Sequence, residues 1–289
     1  MSELGALEDL LLLLIVALVP AVVYLAWVRG TERYQAQPWG TLLSLFAYGA
    51  IVATFVAAFL ELFILDAGSA VAQKFPAPEF TFLNPSSSWS EFFLILVVAP
   101  FVEEGLKASG VVRQSQGLRL VSDGLVFGAA VGLGFGFFET FLYGVGEWAT
   151  GGLEAGITLI VVRSLSSVLL HGSTTSMFGY GYAESRLNGR TGYAGAYYLL
   201  AVAMHAGFNF LASLGAIVAI LGFSNGLAND ASILGLVLVF VYAFAAIEHA
   251  RTVIGRTDTP GALGPPERFR PKPVRAAQYT RPPPRRPNQ

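Results

Sequence analysis

Long apolar runs separated by short polar connections organise this chain from end to end. Seven can be drawn, at about 7–28, 40–66, 90–111, 121–147, 155–185, 193–221 and 231–252, and each is long enough for a helix. Several reach the roughly 20 apolar residues that cross a bilayer. The pattern predicts an all-α, polytopic membrane helix bundle of about seven transmembrane helices. The first run, "LLLLLIVALVPAVVYLAWV", follows Glu3, Glu8 and Asp9, and no small-residue cleavage site comes after it. It reads as a membrane helix rather than a signal peptide.

Composition agrees. Of 289 residues, 54% are hydrophobic and 13% charged, against roughly 25% charged in a soluble domain. Lys and Arg alternate along the connections. The N-terminus has none, the next loop has Arg29 and Arg33, and the next only Lys74. Arg113 and Arg119 follow, then none, then Arg186 and Arg190, then none, and finally a basic tail. This alternation predicts an outside N-terminus and a cytoplasmic C-terminus. Residues 256–289 carry eight Lys/Arg and two acids among many prolines. They are expected to form a disordered basic tail touching anionic lipid, beside a transmembrane helical domain at 1–255. The Pro- and Ser-rich 67–90 connection reads as an outer linker. The absence of cysteine removes thiolate ligands and cysteine nucleophiles.

Against this background the charges inside the runs stand out. The third run contains "FVEEGLKASG" (101–110), just after Pro100, which removes a backbone hydrogen bond and kinks the helix. Glu103 and Glu104 point roughly 100° apart, and Lys107 falls between them one turn on, in the favoured Glu-before-Lys order. One carboxylate is then paired with the lysine and the other is free for general-base work. The plainer alternative is a helix end emerging into water. The fourth run places Gly124, Gly128, Gly132 and Gly136 four apart, a ridge along which another helix packs closely. Glu139 lies near that face and inside the apolar span, where a carboxylate marks a functional site.

His171 lies in the fifth run, with Arg163 two turns earlier and Thr175 one turn later. His205 lies in the sixth, with Asn209 four residues on and so on the same face; His249 reads as interfacial. A single buried histidine is more often a helix-to-helix hydrogen bond, but two of them with three glutamates and an asparagine point to chemistry. There is no H-E-x-x-H and no G-x-S-x-G. Ser173 is close to His171 in sequence but makes no nucleophile–base pair with it, and Asp123 has no second aspartate to form a dyad. A proton-coupled transporter or channel using the same residues as a relay is the alternative from another class, although no internal repeat supports it.

The motifs E-E-x-x-K (Glu103, Glu104, Lys107), D-G-x-x-x-G (Asp123, Gly124, Gly128), F-x-x-x-E (Phe135, Glu139), His171 followed by Thr175, and H-x-x-x-N (His205, Asn209) resemble the PrsW family. That family is related to the CAAX prenyl-endopeptidases and bacteriocin-processing proteins. The resemblance runs in order across about 90–215; Thr140 stands where many relatives have Asn. It implies a multi-pass intramembrane endopeptidase of a prokaryotic plasma membrane, acting on membrane-embedded or membrane-adjacent proteins such as an anti-sigma-factor-like regulator. A catalytically idle relative that binds membrane proteins is a further alternative. The implied site is Glu103, Glu104, Lys107, Glu139, His171, His205 and Asn209. Glu103 would activate water with help from His171, Glu104 and Lys107 would tune it, and His205 and Asn209 would donate to the oxyanion. No cofactor is the first expectation; zinc on Glu139, His171 and His205 is the other. The expected partners are a membrane-protein substrate and the lipid bilayer, with no nucleic acid.

Overall fold

The computed structural model describes residues 3–32, 34, 36–74 and 87–258. The basic tail from 259 onward and positions 75–86 of the 67–90 connection lie outside the described residues. Within them the chain is helical: α1 (Glu3–Arg29), α2 (Trp39–Ala47), α3 (Thr54–Lys74), α4 (Ser88–Phe93), α5 (Ala99–Arg113), α6 (Val121–Gly151), α7 (Leu153–Ser164), α8 (Ser167–Leu187), α9 (Tyr193–Ala212), α10 (Leu214–Ile220) and α11 (Asn225–Thr257). Wider π-helical turns at Tyr48–Ala53 and Leu94–Val98 join α2 to α3 and α4 to α5.

Six of these helical runs are long and apolar enough to cross a membrane. The remaining expected span, at about 90–111, is the run that holds Glu103, Glu104 and Lys107, and its charges keep it out of that set. Two expected helices are interrupted. The 155–185 run breaks at Leu165 and Ser166, just before the turn that carries His171, and the 193–221 run breaks at Ser213.

Helix α6 is the centre of the bundle: 78% of its most apolar stretch is buried, against 28% for α1 and for α11. Its glycines explain how neighbours come so close. A Cβ at Gly124, Gly128 or Gly132 would lie within 2.3 Å of the backbone oxygens of Gly179, Thr175 and His171 on α8. On another side of α6, a Cβ at Gly134 would meet the Phe46 oxygen of α2 at 2.0 Å. Small residues thus bring backbones together where the hydrophobic effect offers no preference between helix and lipid. At the start of α6, Asp123 accepts from the backbone N–H groups of Arg119 (2.6 Å) and Leu120 (2.8 Å), satisfying donors that a helix start leaves open. Gln37 of the first connection also donates to Asp123.

Candidate active site

Pro100 shapes the helix that carries the paired glutamates. In the preceding π turn the Ala99 N–H bonds Leu94 O, and Pro100 has no N–H to offer. The Ile95 carbonyl is therefore left without a helical donor. Asn209 of α9 supplies one, its Nδ2 donating to Ile95 O at 2.7 Å. The amide expected at an oxyanion is thus engaged in tying α9 to the wide turn before α5.

One turn further on, Glu103 and Glu104 meet different surroundings. Glu104 is buried, and its Oε1 accepts from Lys107 Nζ (2.8 Å), Thr174 Oγ1 (3.0 Å) and His205 Nδ1 (3.0 Å). Glu103 lines a cavity of about 400 Å³ and has Lys107 Nζ at 3.4 Å. Lys107 is fully buried, and its ammonium also reaches His171 Nδ1 at 2.8 Å and lies 4.4 Å from the centre of the Phe135 ring. A buried cation requires such compensation.

These contacts set the imidazole tautomers. An ammonium only donates, so His171 Nδ1 accepts from Lys107, and its Nε2–H donates to Glu139 Oε2 at 2.8 Å. His205 donates from Nδ1 to Glu104, which leaves the Nε2 lone pair. The rings of His171 and His205 stand nearly perpendicular, 5.0 Å apart.

Glu139 is fixed from α7 and α8. Arg163 Nη2 lies 2.8 Å from Glu139 Oε2 and 3.1 Å from Ser167 Oγ. The guanidinium is 4.0 Å from the centre of the Tyr143 ring, a cation–π arrangement. The break between α7 and α8 lets Arg163 and His171 approach the same carboxylate from separate helices.

The structure therefore gathers all seven residues singled out in the sequence, contributed by α5, α6, α8 and α9. Cavity-lining positions on these helices include Glu103, Glu139, His171, His205 and Asn209, while Glu104 and Lys107 sit behind. Four contributors were not in that set. Thr174, rather than Thr175, reaches the glutamate pair; Arg163 and Ser167 hold Glu139. Glu61 of α3 also lines the cavity, and its only sequence signal was an acid inside an apolar run.

For a metal, the carboxylate that clusters with both imidazoles is Glu103: one ligand atom from each of Glu103, His171 and His205 lies within 4.8 Å of the others. Glu139 instead contacts the far side of His171. The donor types and spacing suit a three-ligand zinc centre with an open position, and His205 Nε2 is available. His171 Nδ1 would have to exchange Lys107 for the metal.

Comparison with known proteins bears on this arrangement. The family described as "PrsW family intramembrane metalloprotease" matches residues 37–247. A protein named Protease PrsW, from Clostridioides difficile (strain 630), is 24% identical over 208 residues, spanning 69% of this chain and 78% of its own length. No solved structure matches the chain.

Proposed function

Because the chain belongs to the PrsW family of intramembrane proteases, we propose that it cleaves membrane-embedded or membrane-adjacent proteins with Glu103 as the group that activates water. The observation that supports this role is the asymmetry of the pair. Glu104 has three donors on one oxygen, whereas Glu103 faces the cavity with one long hydrogen bond, from Lys107. Glu104, Lys107 and Thr174 then form a frame behind Glu103. Glu139 orients His171 through Nε2, and Arg163 fixes Glu139. The chemistry is general-base attack of water on a peptide carbonyl, with Lys107 and Arg163 as the nearby positive charges that favour a developing oxyanion.

A zinc-dependent form of the same reaction is the second reading, favoured by the clustering of Glu103, His171 and His205. Those three residues would hold the ion, which supplies Lewis acidity and a water ionised near neutrality.

The cavity occupies the parts of α3, α4–α5, α6, α8 and α9 that the charge alternation assigns to the outer half of the membrane. We therefore place the opening of the site toward the outer face of a prokaryotic plasma membrane. The test is cleavage of a panel of single-span membrane proteins in proteoliposomes. Glu103→Ala and His205→Ala should abolish it; cleavage surviving both substitutions would sink the proposal. Chelation followed by zinc restoration separates the two forms of the reaction.

A further inference from the structure

On α3, Thr54, Ala57, Ala58 and Glu61 recur at helical spacing and line one wall of the cavity. The two alanines leave space beside the wall, and Glu61 closes the row. The other side of α3 carries Phe59, Leu62 and Phe63, each more than 60% exposed, as suits contact with lipid. Glu61 thus lies on the cavity side of α3, with these large apolar side chains turned away from the cavity.

Charge sets Glu61 apart from the other acids at the site. Arg163 compensates Glu139, and Lys107 is shared by Glu103 and Glu104. Glu61 Oε1 is buried and has no hydrogen-bond partner among the described residues. No lysine or arginine of the described residues forms an ion pair with it. A carboxylate left this way beside a cavity favours a cation brought by another molecule.

We propose that Glu61 forms a specificity subsite that accepts a lysine or arginine side chain of the substrate close to the scissile bond. This rests on the hydrolase reading above. Substrate backbone lies along the wall opposite His171, and the long basic side chain passes over Ala57 and Ala58 to reach the carboxylate. The apolar stem of lysine or arginine suits such a path, with only its charged end requiring a partner.

The test uses one single-span peptide that the wild-type protein cleaves, with each residue flanking the cut replaced in turn by lysine, norleucine or glutamate. At one position lysine should raise kcat/KM over norleucine by about tenfold or more. That ratio should fall to near one in Glu61→Gln, and glutamate should become the preferred residue in Glu61→Lys. Thermal unfolding checks that both variants are folded. A lysine preference that persists in Glu61→Gln, or no preference at any position, would overturn the subsite. Loss of cleavage of lysine and norleucine peptides alike in Glu61→Gln would also overturn it, because a subsite residue sets preference within turnover. Glu103→Gln run in parallel keeps the two readings apart: cleavage that survives it counts against Glu103 as the group that activates water, while the lysine-to-norleucine ratio still reports on Glu61.

Discussion

Replacing Gly132 by alanine tests whether the α6–α8 contact sets the geometry of the site. The added Cβ would lie 2.0 Å from His171 O and 2.6 Å from His171 C. Ordinary contact begins near 3.4 Å, so the backbones must separate by roughly 1.4 Å, an overpacking that costs about 1–3 kcal/mol. The atom in the way belongs to His171 itself. Its hydrogen bonds to Lys107 and Glu139 are both 2.8 Å, and a shift of that size takes either beyond hydrogen-bonding distance. A misplacement of about 1 Å can cost about a hundredfold in rate. Gly132→Ala should therefore lower cleavage in proteoliposomes by about that factor while the protein stays folded. Gly207→Ala on α9, where an added Cβ meets nothing within 4 Å, is the control. If Gly132→Ala retained more than about a tenth of wild-type cleavage, the argument from close helix approach would fail.

Three other predictions follow from buried polar groups. Lys107→Met leaves Glu103 and Glu104 without their shared cation and should lower stability by about 3–5 kcal/mol; adding Glu104→Gln should restore part of it in thermal unfolding. Asn209→Ala leaves Ile95 O without its donor, at a cost of about 1–3 kcal/mol, and hydrogen exchange across 94–99 should quicken; Pro100→Ala, which returns an N–H, should reverse part of that change. Glu32, in the first connection, is buried, which together with the charges of Asp123 and Asp258 raises it to about 7, while the Gln37 N–H and Arg29 oppose the shift. The folded protein therefore holds a proton that the unfolded chain releases between its ordinary 4.5 and about 7. Stability should fall as pH rises through that window, and Glu32→Gln should flatten the dependence of the unfolding midpoint on pH.

Hydropathy and helical period made the bundle legible in the sequence, because both are local properties of a chain in lipid. The same locality exposed the polar residues: Glu103, Glu104, Lys107, Glu139, His171, His205 and Asn209 stand out in runs that otherwise avoid charge. Breaks within runs were harder to read. Ser166 and Ser213 interrupt helices without proline, and the wide turn before Pro100 depends on which carbonyl finds a donor elsewhere.

Assignments between neighbouring residues belonged to the tertiary structure. Glu103 and Glu104 differ in sequence only by position, and packing against α8 and α9 decides which is enclosed by donors and which faces the cavity. Thr174 rather than Thr175 reaches that pair because the glycines of α6 set the rotation and depth of α8. Asn209 meets Ile95, 114 residues away, and Glu61 meets the cavity only when α3 packs beside α5. The sequence determined that charges would be kept inside the membrane; the distances between helices decided which charges face one another, because a hydrogen bond is made or lost within about 1 Å.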